Sequence, residues 1–167
     1  MVMRPLDLNA LTWICLNLRE QDQAEIYGQR PHDNPLRLAH EAHTALTHMG
    51  RGKIAWHAGQ PAAVIGFYER WPGMWEAVSF GTENYKDVGV ELMRAGRAMA
   101  RDILTEFGAN RLQADSRVDN LEAHKFIRIL GGTPEGPPMR AYGKDGSDYQ
   151  RFVWLNERDR GLVVKEA

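Results

Sequence analysis

A chain of 167 residues that is 43% hydrophobic can bury one sizeable core and is too apolar to be a disordered segment. Lysine and arginine (21) nearly balance aspartate and glutamate (22), and no basic run is long enough to act as a nucleic-acid arm, so nucleic acid is not expected as a partner. The single cysteine, Cys15, excludes an internal disulfide. With no leader-like start and no apolar run of membrane length, the expected setting is the cytoplasm, away from any membrane.

Taken in chain order, residues 11–17 (LTWICLN) are dense in β-branched and aromatic side chains and read as a first strand. Residues 19–30 are polar around Ala24 and Tyr27 and read as a helix, broken by Pro31 and Pro35. A second helix over 36–49 places Leu38, Ala42, Ala45, Leu46 and Met49 on one face, with Gly50 as its stop. Residues 53–58 and 62–69 flank Gly59-Gln60 as a hairpin, and Trp71-Pro72-Gly73 turns the chain into a third strand over 74–80. The longest helix is predicted over 87–107, with Leu92, Gly96, Met99, Ala100, Ile103, Leu104 and Phe107 at a period near 3.6 and Gly108 at its end.

Residues 111–118 form the next strand. A right-handed crossover through the long helix makes it parallel to 74–80. Asp119 followed by Glu122 is a capping-box variant that opens a short helix carrying Ala123, Phe126, Ile127 and Leu130, stopped by Gly131-Gly132. The Pro- and Gly-rich stretch 133–147 is expected to border a substrate cleft as a mobile loop, and 149–155 to return as a last strand. The order predicts a single α/β (α+β) domain over 1–155, with a mixed, mostly antiparallel sheet flanked by helices, and a charged tail over 156–167.

Two stretches carry chemistry. At the start of the long helix, free N–H groups and the helix dipole favour an anion. Gly89 would let a phosphate approach the backbone and Lys86 would add a charge, while Glu91 opposes both. The second stretch is Asn120-Leu-Glu-Ala123-His-Lys-Phe126-Ile-Arg-Ile-Leu130-Gly131. His40 and His43, with Glu41 between them, lack the four-residue spacing and further ligands of a metal site, and no metal is expected.

With these motifs, the order of elements resembles the GNAT superfamily of acetyl-coenzyme A dependent N-acetyltransferases. The Asn120 stretch matches the superfamily's Asn, Ala, aromatic and closing Gly in full. The Lys86–Glu91 stretch matches its phosphate loop in part, at Gly89. Within the superfamily the early helix pair and the strand around Trp75 look most like acetyltransferase-like proteins of T7-like tailed phages.

The resemblance implies acetyl-CoA as co-substrate, an amine acceptor as partner, and direct transfer. It admits a homodimer. It implies that the strand segment Val78, Ser79 and Phe80 contacts the pantetheine arm, and that Lys86, Val88, Gly89 and Val90 hold the pyrophosphate. Asn120 would face the arm or a water, or simply cap its helix. Glu76 is the candidate base, with Glu69 second. The position where family members carry an acidic tyrosine is Ile127, which leaves Tyr142 or Tyr149 as substitutes. A non-catalytic assembly or partner-binding protein of the same fold is the alternative, favoured by Glu91 and Ile127.

Overall fold

The computed structural model describes residues 2–156; the charged tail expected over 156–167 lies outside them but for Asn156. Strand β1 (Val2–Pro5) precedes three helices, α1 (Leu8–Leu16), α2 (Glu20–Gly28) and α3 (Pro35–His48). The meander β2 (Gly50–His57), β3 (Gln60–Trp71) and β4 (Met74–Gly81) follows. A short 3-10 turn (Glu83–Val88) then leads into α4 (Gly89–Thr105), β5 (Arg111–Arg117), α5 (Leu121–Ile129), β6 (Thr133–Pro134) and β7 (Tyr149–Leu155).

The expected first strand is instead helix α1. Asp7 caps it by accepting from the Asn9 N–H, and its buried residues Ala10, Leu11, Ile14 and Cys15 recur at helical spacing. Burial of that stripe overrides the β-branched composition. Cys15 lies inside it, and burial pushes its thiol up to about 12. The long helix also starts later than predicted, because Thr82 caps a separate 3-10 turn before Gly89.

The sheet order is β1-β2-β3-β4-β5-β7-β6. The meander pairs antiparallel, and β5 runs parallel to β4 as the crossover requires. Both faces are covered. Under α4 and α5 lie Phe67, Leu92, Ile103, Leu112 and Phe152, and under α1 and α3 lie Leu11, Ile14, Leu38, Ile54 and Phe80. Each such side chain contributes about 1.5–3 kcal/mol by burial. Gly96 lets α4 lie close on the sheet, since a Cβ there would meet Ile65 Cδ1 at 2.7 Å.

Candidate functional site

The parallel ladder between β4 and β5 is short. It pairs Met74 with Arg111, Trp75 with Leu112 and Glu76 with Gln113, and there it ends. Beyond it β4 stays with β3 and β5 stays with β7, so the two strands part and a cleft opens through the sheet. The cleft encloses about 410 Å³ and runs from Glu76 and Ala114 to the first turn of α4.

The end of β4 shows which groups face this gap. The Gly81 N–H donates to Asp22 Oδ2 (2.8 Å), and its carbonyl accepts from the Arg19 N–H (3.1 Å). Backbone groups alternate along a strand, so those of Ala77 and Ser79 also turn toward β5, where the Ala77 N–H closes the last rung opposite Gln113 and the Ser79 groups face the gap, whereas those of Val78 and Phe80 turn to β3. The side chain of Phe80 is buried in the core under α1 and α3. The Ser79 hydroxyl is 2.7 Å from that of Tyr85, a buried phenol whose pKa burial holds well above the usual tyrosine value.

At the far end Lys86, Gly89 and Val90 line the cleft, together with Lys125 from α5. The side chain of Val88 is fully buried in the core instead. Nothing lies within 4 Å of where a Gly89 Cβ would stand, so the helix start is open. The Gly89 N–H itself is bonded to the Lys86 carbonyl, which shifts the N–H groups offered by this end one residue on, to Val90 and Glu91.

Helix α2 spans the gap like a strap. On the β4 side, buried Asp22 joins Arg19 (2.9 Å) to the Gly81 N–H. Arg19 also stacks 3.9 Å from the centre of the Tyr85 ring and reaches Glu122 on α5. On the β5 side, Glu25 accepts from the Arg117 N–H (3.0 Å) and from Asn120 Nδ2 (2.6 Å). Asn120 also caps α5 by accepting from the Ala123 N–H; Asp119, the expected cap, instead pairs with Arg117. Asn120 does not line the cleft.

Burial raises the carboxyl of Asp22 despite the pull of Arg19. Burial likewise raises that of Glu25 against hydrogen bonds from Arg117 and Asn120. Because the folded Glu25 binds its proton more tightly than the unfolded one, it withdraws stability as pH climbs from the usual carboxylate range through its raised value. Glu25→Gln is therefore expected to gain on the parent protein as pH rises through that window and then level off. Urea unfolding of both proteins across a pH series checks this, and a constant or opposite difference refutes it.

Glu76 lies where the ladder ends. Its Oε2 accepts from the Tyr68 hydroxyl (3.1 Å) and from Arg70 Nη1 (3.0 Å). It also borders a second, more polar cavity of about 580 Å³, into which the 133–147 stretch sends Tyr142 and Lys144. The Tyr142 hydroxyl donates to Asp115 Oδ2 at 3.4 Å, on this second side. Tyr149 is buried and donates to the Glu25 carbonyl. Ile127 is buried in the core and Glu69 is bonded to the Gly73 N–H. Arg19, Asp22, Glu25 and Tyr85 were not legible as site residues in the sequence; the Arg19–Asp22 spacing at the head of a polar helix is the one local trace they leave.

No protein-family model matches the chain, and no curated protein does either. Solved structures do. An acetyltransferase of the GNAT family from Bacillus anthracis superposes with a TM-score of 0.67 at 14% identity, covering 93% of this chain and 94% of that one. The fold is that of the GNAT acetyltransferases. A Salmonella typhimurium protein regarded as an acetyltransferase, solved with its cofactor acetyl-CoA, has a TM-score of 0.70 at 17% identity and 94% coverage of both chains. A spermidine N-acetyltransferase from Vibrio cholerae has 0.65 at 18% and 93% of both. Among the described residues, no helix of this GNAT fold is long and apolar enough to cross a membrane, and no three His, Cys, Asp or Glu side chains are grouped to hold a metal ion.

Proposed function

We propose that the chain is an acyl-CoA dependent N-acyltransferase, with acetyl-CoA as donor. The observation that carries this reading is the cleft that opens where β4 leaves β5 and ends on the open first turn of α4. The residues present fit such a donor. The edge of β4 at Ser79, beyond the last rung of the parallel ladder, suits an amide-bearing arm, and the N–H groups of Val90 and Glu91, beside Lys86 and Lys125, suit a diphosphate.

Bound acetyl-CoA supplies an activated acyl carbonyl; the chain's residues orient it and manage protons. The Ser79 backbone on the β4 edge steadies the arm and its acyl end. Glu76, at the junction of the two cavities, takes a proton from the acceptor ammonium. The amine nitrogen attacks the acyl carbon and the C–S bond breaks, its electron pair leaving with sulfur. Of the two protons lost by the ammonium, one passes through Glu76 to water and the other to the sulfur.

Calorimetry with acetyl-CoA and with CoA tests the reading. Binding with a Kd at or below about 1 mM is expected, and its absence overturns it. Lys86→Ala should weaken binding about ten- to a hundredfold, the value of one charge-assisted contact. An unchanged Kd would remove Lys86 from the site.

A second reading, a non-catalytic GNAT-fold assembly protein of the phage-related kind, is favoured by the absence of an acidic side chain at Ile127. Acetyl-CoA binding without thiol release for any amine would support it.

A further inference from the structure

The second cavity meets the cleft along a shared wall of Gln29, Arg30, Glu76 and Asp115, so it lies on the acceptor's side of the reacting centre. Its charged lining consists of Arg30, Arg70, Lys144 and Arg151 against Glu76 and Asp115. Two of these cations are held from outside the lining: Arg30 by Glu41, and Lys144 by Asp33. The other two form ion pairs within it, Arg151 with Asp115 through two bonds of 2.8 Å and Arg70 with Glu76 at 3.0 Å. The lining thus presents guanidinium groups with donor capacity left over, which an acceptor carrying an anionic group of its own can use and a polyamine cannot.

The Arg70–Glu76 pair narrows the chemistry. The two opposite charges stand one hydrogen bond apart, Glu76 on the wall shared with the cleft and Arg70 in the second cavity beside it. An α-amino acid carries ammonium and carboxylate separated by a single carbon, the mirror of this arrangement. Arg70 bonds to Tyr68 and Glu76 through Nη1, which keeps the Nε and Nη2 edge of its fork for a carboxylate. Asp115 is already satisfied by Arg151 and Tyr142, so Glu76 is the carboxylate on the shared wall that can meet the ammonium.

We propose that the acceptor is a small α-amino acid, its carboxylate held by Arg70 and its amino group by Glu76 at the mouth of the cleft. The proposal rests on the N-acyltransferase reading for its chemistry, but the binding it calls for can be measured without acetyl transfer.

The test titrates the free protein and the CoA-saturated protein with each common L-amino acid. The corresponding α-amides, butylamine and spermidine serve as controls lacking the carboxylate. At least one amino acid should bind with a Kd of about 10 mM or tighter, and its amide about tenfold more weakly or worse. Arg70→Gln should weaken the same amino acid about tenfold with no change in CoA affinity, and Arg70→Lys should restore part of the loss. Equal binding of acid and amide, preference for spermidine, or an unaffected R70Q protein overturns the proposal. So does binding of no amino acid, even if CoA binds normally. Amino acid binding by a protein that binds no CoA would sustain this site and reject the acetyl-transfer reading.

Discussion

Replacing Gly89 with valine is expected to weaken CoA binding by about a hundredfold or more while leaving thermal stability almost unchanged. Gly89 has ordinary right-handed helical angles (φ -57, ψ -37), so valine meets no backbone strain. Its Cβ would stand in open space, with no atom beyond its own chain neighbours and helix backbone within 4 Å, so no core contact is disturbed. The change in folding energy should stay within about 1 kcal/mol. The same open space is where a diphosphate must come to meet the N–H groups of α4. Losing two charge-assisted bonds of about 1.5–3 kcal/mol each accounts for the expected loss of affinity. Calorimetry and thermal unfolding of one variant separate the two quantities. Unchanged affinity would move the phosphate site away from this helix.

Asp22→Ala should cost about 3–5 kcal/mol of stability, the usual penalty for removing one partner of a buried ion pair. The Asp22 carboxylate is buried and serves both the Arg19 guanidinium and the Gly81 N–H. Without it, a buried guanidinium keeps only a partly solvated contact with Glu122 and the face of Tyr85. Chemical denaturation gives the number directly. A loss below about 1 kcal/mol would mean that water replaces the carboxylate and that α2 is not fastened there. Asp22→Asn should lie between, since its amide oxygen can still accept from Gly81.

The meander is legible in the sequence because each strand is bounded by turn chemistry, Gly59-Gln60 on one side and Trp71-Pro72-Gly73 on the other. The crossover follows from the period of α4. Helix α1 is misread because seven adjacent residues have strand-like composition, while the cap and stripe that decide the matter begin earlier, at Asp7 and Ala10.

Within the candidate site, Gly89 is singled out by its place at a helix start and Glu76 by the family resemblance, and both line the cleft. Glu25 and Asp22 are not legible, because their meaning comes from partners far along the chain. Asp22 meets Gly81 across 59 positions, and Glu25 meets Arg117 and Asn120 across 92 and 95. No local pattern encodes contacts of that range. The choice between Ala77 with Ser79 and Val78 with Phe80 likewise depends on strand register, which the pairing of β4 with β3 fixes.

Both ends of the described sheet are short strands that end in proline. Its first edge is β1, four residues long and ending in Pro5, with Arg4 exposed beside it. Its last is the two-residue β6, which ends in Pro134. Beyond β6 the outer edge of β7 is taken up by irregular backbone, Glu135 bonding to the Arg151 carbonyl and Met139 exchanging two bonds with Tyr149. Short, proline-ended margins, covered on the β7 side, give a neighbouring chain little template on which to pair. For the described residues, self-association is therefore expected to use side-chain surfaces, and crowding at high concentration should not drive the folded form toward fibrous, sheet-extended aggregates.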